Sequence, residues 1–184
     1  MRRGQLLHRL LEALPELPPA TRSDTAKHFL AEVADDFSAA EIALMVDEAL
    51  TVLNDPSFAP VFADGSRPEI DIAAELESNR GPIRLTGRID RLAVTDHEVM
   101  IVDYKTDRPA PIEVDQVRSS YIGQLALYAE AVGRLYPNRR IRAALLWTAS
   151  PRLMPIPATA LSAALEGILS PPTADAGTAG ESAA

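Results

Sequence analysis

The sequence predicts an α/β or α+β core carrying an N-terminal helical elaboration. Three observations carry that expectation. Apolar residues up to about position 53 recur at helical spacing. From Glu69 the pattern changes to an alternation of period two that continues through three strand-like segments. A long helical stretch then separates these segments from one more apolar strand, an order that suits a sheet packed against helices.

The elements run in order. In GQLLHRLLEAL, Leu7, Leu10, Leu11 and Leu14 share one helical face, and Pro15, Pro18 and Pro19 end the helix. Ser23 and Asp24 offer N-caps for a second helix reaching about Ala34. A third runs from Ser38, with Glu41 completing a capping box, to Leu53. NDPSFAP and ADGSRP read as loops. In the first strand Ile70, Ile72 and Ala74 alternate with Asp71, Ala73 and Glu75. SNRGP turns the chain, and alternation resumes from Ile83 to Val94. After TDH, a third strand covers 99–105 and closes a meander. DRPAPIEVD is a proline-rich loop, and a helix over 117–135 stops near Pro137 and Asn138. IRAALLW, at 141–147, is a buried strand, and a short helix over 159–169 comes after it. The tail 170–184 is small and polar and is expected to be disordered. The predicted organisation is one domain over 1–169, with a helical part (1–64) and a sheet core (65–169).

Hydrophobic residues make up 47% of the chain and charged residues 24%, which leaves enough apolar material for a core. No apolar run is long enough to span a membrane. The N-terminal MRRGQLLHRLL is broken by His8 and Arg9 and lacks a small-residue cleavage site, so a cytoplasmic protein is expected. Cysteine is absent, which excludes disulfides, thiolate zinc sites, a cysteine nucleophile and a cysteine-held iron–sulfur cluster. A net charge of -8 argues against a domain that coats nucleic acid. An acidic domain can still carry carboxylates for metal ions and take its basic track from a neighbour.

The chemistry concentrates in VMIVDYKTD, residues 99–107. Asp103 and Lys105 lie two apart in a strand and leave on the same face, with Tyr104 opposite. The pair reads either as a local ion pair at a strand edge or as a site. The buried run before it brings Asp103 to the rim of a core, where an unpaired charge is costly. A divalent cation is a suitable partner, because magnesium prefers oxygen ligands and uses one or two carboxylates. Asp90, in GRIDRL on the adjacent strand, supplies a second carboxylate, and Lys105 then serves a phosphate or a metal-bound water. Within GRIDRL, Arg88 and Asp90 are expected on one face, Ile89 and Arg91 on the other. Tyr121, Gln124 and Tyr128 form a stripe on the long helix, either a core edge or part of a site. His8, beside the leucine stripe, is by itself an ordinary structural histidine.

GRIDRL, IVDYKT and YIGQLALYAEAV occur in that order behind the N-terminal GQLLHRLLEALP. Together they resemble the RecB-type nucleases of the PD-(D/E)xK superfamily and are most similar to the nuclease domain of the AddA helicase–nuclease family. The resemblance covers about residues 2–157. It implies a restriction-endonuclease-like core with a small mixed sheet flanked by helices. It also implies an Mg2+-dependent deoxyribonuclease, with Mn2+ as a substitute ion, acting as an exonuclease in double-strand break repair by recombination. By the same resemblance, Asp90, Asp103, His8 and the Tyr104 carbonyl match the metal ligands, and Lys105 the catalytic lysine. Gln124 and Tyr128 match the helix motif that contacts DNA and braces the site. Glu69 matches an accessory glutamate, with Glu75 a competing candidate on the same strand. Arg88, Arg91 and Arg108 are candidates for flanking phosphates or simply solvated charges. The partners implied are DNA, a helicase domain in the same chain and an AddB-type subunit. No Walker A loop is present, so an isolated domain or a truncated reading frame is expected. The alternative is an inactive nuclease fold that binds DNA or a partner.

Overall fold

Helix α1 (Arg2–Ala13) forms where the leucine spacing predicts it and buries Leu6, Leu7, Leu10 and Leu11. The structure, a computed structural model, describes residues 2–170. The tail expected to be disordered lies, beyond Ser170, outside the described residues. Helix α2 (Pro19–Val33) begins earlier than the N-caps Ser23 and Asp24 suggest, and both of those residues sit inside it. Proline at the first helical position has no N–H to leave unpaired and a φ already suited to a helix, so Pro19 starts the element. Helix α3 (Ala39–Asn54) starts on the expected capping box. The Glu41 N–H donates to Ser38 Oγ at 3.3 Å and the Ser38 N–H donates to Glu41 Oε2 at 2.8 Å. NDPSFAP is not an open loop. A 3-10 turn occupies Pro56–Val61, begun by the Asp55 carboxylate accepting from the Ser57 N–H at 2.8 Å.

The sheet comprises β1 (Ser66–Leu76), β2 (Ile83–Val94), β3 (Glu98–Lys105), β4 (Arg140–Trp147) and β5 (Arg152–Ile156). They lie side by side in chain order, with β3 and β4 parallel and every other pair antiparallel. Strand β1 begins three residues before Glu69, and β5 is a strand the sequence pattern does not predict. Both are edge strands and both contain proline, Pro68 and Pro155. An edge is where a strand tolerates the missing N–H, and where proline also discourages pairing with another chain.

A parallel pair needs a crossover, and helix α4 (Ser119–Leu135) supplies it between β3 and β4. Helix α5 (Ala158–Leu169) packs on α4. The sheet therefore separates two apolar layers. Helices α1–α3 pack with Val102, Tyr104 and Leu146 on one face. Helix α4 packs with Val99, Ile101, Leu145 and Trp147 on the other. This mixed sheet flanked by helices, with its helical N-terminal part, is the restriction-endonuclease-like α/β fold that the resemblance implied. No helix among the described residues is long and apolar enough to cross a membrane.

Gly87 shows how closely α4 sits on β2. A methyl group there would overlap the Tyr128 hydroxyl. Gly87→Ala is expected to cost about 1–3 kcal/mol through overpacking, read as a lower midpoint in urea unfolding.

Candidate active site

Alternation along β1 and β2 slips by one residue where the two strands pass Glu69 and Asp90. Before the slip on β2, Leu85 and Ile89 face the α4 layer; after it, Leu92 and Val94 do. On β1, Ile70, Ile72 and Ala74 face that layer, whereas Ser66 reaches the opposite side to accept from Arg91. Glu69 carries the slip with a left-handed φ of 50°, a strained backbone for a residue with a side chain. Arg91 consequently does not share the face of Ile89. It is 1% exposed and points into the helical layer, donating to Tyr104 Oη at 3.0 Å, Ser66 Oγ at 2.7 Å and the Leu11 carbonyl at 3.3 Å. This corrects the phosphate role expected of Arg91, because a guanidinium so enclosed cannot reach a strand of DNA.

The slip leaves Asp90 in the seam between the layers. Pairing of β2 with β3 runs from Val94↔Val99 to Arg91↔Val102 and goes no further. Beyond it the Tyr104 N–H donates to Asp90 Oδ2 at 2.7 Å, so a side chain takes the place of a ladder partner. The other carboxylate oxygen of Asp90 faces His8 Nδ1 at 3.3 Å, brought in from α1, and the His8 ring stands edge-on to Tyr104.

Asp103 and Lys105 leave β3 on one face, as their spacing predicts, and that face is the α4 side. Asp103 is 3% exposed, and Lys105 Nζ lies 2.6 Å from its Oδ2. The two charges are in direct contact and almost wholly enclosed, so the ammonium is the counter-charge that answers this buried carboxylate. Lys105 Nζ also donates to Gln124 Oε1 at 3.4 Å and sits 3.9 Å from the centre of the Tyr121 ring. Gln124 Nε2 donates to Tyr128 Oη at 3.3 Å, and the Tyr128 hydroxyl donates to the Arg88 carbonyl at 3.2 Å. A polar chain thus runs from Asp103 to the backbone of β2. Tyr128 is buried with its hydroxyl turned inward, which corrects the expected DNA contact and leaves it as a brace. Tyr121 belongs to the predicted stripe but not to the site residues that the resemblance implies. Its hydroxyl meets Asp107 at 3.1 Å, and Arg118 completes the group at 3.1 Å from the same carboxylate.

Glu69 and Arg88 sit at the rim. The exposed Arg88 guanidinium is held by Glu69 at 3.0 Å and Asp71 at 2.7 Å. A groove of about 960 Å³ opens here between α1, α2 and the strands, with His8, Asp90, Glu69, Arg88, Arg9 and Gln5 among its lining residues. Arg108 lies elsewhere, on the buried Glu48.

The electrostatics are those of crowded carboxylates. Burial pushes the Asp103 carboxyl up to about 6; the Asp90 charge adds to the rise, against Lys105 and His8. Burial pulls the His8 imidazole down, but the hydrogen bond and charge of Asp90, with Asp103 behind it, outweigh that and leave it above its ordinary value. Carboxylate and imidazole side chains are donor types that divalent cations take from proteins, carboxylate oxygens being preferred by hard ones. Among the described residues, however, no three His, Asp or Glu side chains already converge at ligand spacing. His8 is engaged by Asp90 itself.

A mixed sheet that opens at one end around two aspartates and a lysine marks a restriction-endonuclease-like protein of the nuclease class. The chain belongs to the PD-(D/E)XK nuclease superfamily, whose sequence profile matches residues 1–169. It is 35% identical over 74 residues to the A subunit of the ATP-dependent helicase/nuclease of Oenococcus oeni, a match covering 40% of this chain and 6% of that protein. It is 25% identical over 170 residues to the protein of the same name from Bacillus pumilus, covering 78% and 13%. The chain therefore spans a small fraction of the length of these relatives. The solved structure of SSO0001 aligns over 91% of this chain and 86% of its own, at 15% identity and a TM-score of 0.38.

The raised value of Asp103 has a definite sign in stability. The folded state keeps a proton that the unfolded chain releases between the ordinary value of 3.8 and about 6, so stability falls as pH rises through that window. Asp103→Asn, which resembles the protonated side chain, is expected to be more stable than wild type by about 1–3 kcal/mol above the window. Below the window the two should coincide. Urea unfolding at both ends of the range checks this.

Proposed function

We propose that this chain is the metal-dependent nuclease part of a helicase–nuclease that degrades DNA ends as an exonuclease during double-strand break repair by recombination. The observation that supports it is the pairing of His8 with Asp90 and of Lys105 with Asp103, two pairs close enough to feel each other's charge, the first of them lining an open groove. The family, and the helicase/nuclease subunits to which the chain is similar, support the same reading. Asp90, Asp103, His8 and the Tyr104 carbonyl would hold the ion, with Mg2+ the natural choice and Mn2+ a substitute. Such an ion, when bound, polarises the scissile phosphate and makes a bound water more acidic.

The rest of the chemistry lies in the chain's own side chains. Lys105 presents an ammonium to the negative charge that grows on the phosphoryl oxygens. Asp103, the Tyr121 face and Gln124 orient that ammonium, and Tyr128 fixes Gln124. Gln124 and the exposed Arg88 are the DNA contacts; Arg88 holds a flanking phosphate once it leaves Glu69 and Asp71. Glu69 is an accessory carboxylate at the groove. The chain works in the cytoplasm, and its partners are a helicase domain and an AddB-type protein.

Wild-type protein is expected to cleave linear DNA in the presence of Mg2+, and Asp103→Ala and Lys105→Ala to lose about a hundredfold to a thousandfold in rate. Equal inertness of wild type and both variants, even with an AddB-type partner supplied, would replace this reading with a non-catalytic binding module.

A further inference from the structure

Glu48 is a charged residue on the buried face of α3, in line with Met45, Ala49 and Val52. Its carboxylate gathers donors from three separate parts of the chain. Arg3 of α1 lies 2.5 Å from Oε2, Arg108, just past β3, lies 2.5 Å from the same oxygen, and Thr148, just past β4, donates to Oε1 at 2.5 Å. Thr148 in turn donates its N–H to the Lys105 carbonyl at 3.0 Å. Glu48 is 9% exposed, yet these donors more than offset its burial and keep its pKa below the ordinary value.

The three donors matter because of the residues they lead to. Helix α1 is not part of the sheet, and His8 reaches Asp90 only if α1 keeps its axial position and rotation. Arg3 fixes α1 near its start, five residues before His8. Close by, Gly4 lies against Thr106, where an added methyl would come within 3.0 Å of the threonine hydroxyl. The same carboxylate holds Arg108 and, through Thr148, the carbonyl of Lys105. One buried charge therefore ties the helix that carries His8 to the strand end that carries Lys105.

We infer that Glu48 is a positioning residue for the active site, holding α1 and the 105–108 segment in register so that His8 and Lys105 face the same centre. The inference rests on the nuclease reading of that centre, and its consequence for the fold can be measured apart from activity. Nothing about it requires Glu48 to touch DNA or a metal ion.

The test compares wild type with Glu48→Gln, which keeps the shape and the Thr148 hydrogen bond but removes the charge shared by the two arginines. Hydrogen exchange is expected to speed up in α1 and in 105–108 while β1, β2 and β4 stay protected. In Mg2+-dependent cleavage of linear DNA, kcat is expected to fall about tenfold to a hundredfold, as small misplacements of reacting groups do. KM for DNA should stay within about twofold, since the groove is untouched. Exchange unchanged in both segments, or raised evenly across the whole protein, would overturn the inference, as would a kcat within about twofold of wild type. Should Glu48→Gln fail to fold, Arg3→Met removes only the α1 link, and faster exchange confined to α1 with the same loss of kcat is the supporting result. Unchanged exchange and kcat in Arg3→Met would overturn it. If wild type does not cleave even with an AddB-type partner supplied, the nuclease reading falls and the exchange pattern alone decides whether Glu48 holds the two segments.

Discussion

A carboxylate cannot be taken out of water without something to answer its charge, and Asp103 is almost wholly enclosed. The apolar run before it carries β3 through the middle of the sheet, between the helical layer and α4. Because β3 and β4 run parallel, the chain must cross over between them, and α4 is that crossing. The crossing passes over the face where Asp103 and Lys105 emerge, which is why Tyr121 and Gln124 are at hand to steady the lysine. Topology and electrostatics solve one problem together: the segment that lets two strands run parallel also shields the charge at their end.

The second arrangement is the slip at Glu69 and Asp90. A left-handed backbone at a residue with a side chain costs on the order of 1–2 kcal/mol, and here it changes which way everything beyond it points. Arg91 is turned into the helical layer, where it knits β1, β3 and α1 through Ser66, Tyr104 and Leu11. Asp90 is left at the level where β2 and β3 part. Its two oxygens then take the Tyr104 N–H and the His8 imidazole, one from each side of the opening. Strain in one strand is thus matched by the placement of a carboxylate where regular pairing would have left none.

Much of this is legible in the residues. The leucine spacing of α1, the Ser38–Glu41 box and the alternation of β1–β3 are local signals, and local signals suffice for the elements they specify. The two-residue spacing of Asp103 and Lys105 is enough to put them on one face. The hidden features depend on contacts across the chain. Alternation read straight through the slip puts Arg91 on the face of Ile89, and nothing nearby announces a left-handed Glu69. Pro155 masks strand β5, because it is acceptable only where that strand ends the sheet. Ser23 and Asp24 draw the start of α2 too late, since Pro19 opens a helix as readily as a capping side chain does. Glu48 stands out as a charge on an apolar stripe, but its partners lie 45, 60 and 100 residues away.

Trp147 is the only tryptophan in the chain and pairs directly with Lys105 across the β3–β4 ladder. Its indole is fully buried, its N–H has no hydrogen-bond partner among the described residues, and the Tyr121 ring lies 6.5 Å away. A buried indole emits towards the blue, and a tyrosine at that distance passes its excitation to it. Because Tyr121 also covers the Lys105 ammonium, whatever draws the lysine away from Asp103 disturbs the surroundings of the same ring. The protein thus has an intrinsic fluorophore one strand away from its lysine, and ultraviolet emission can follow events at the centre without a label.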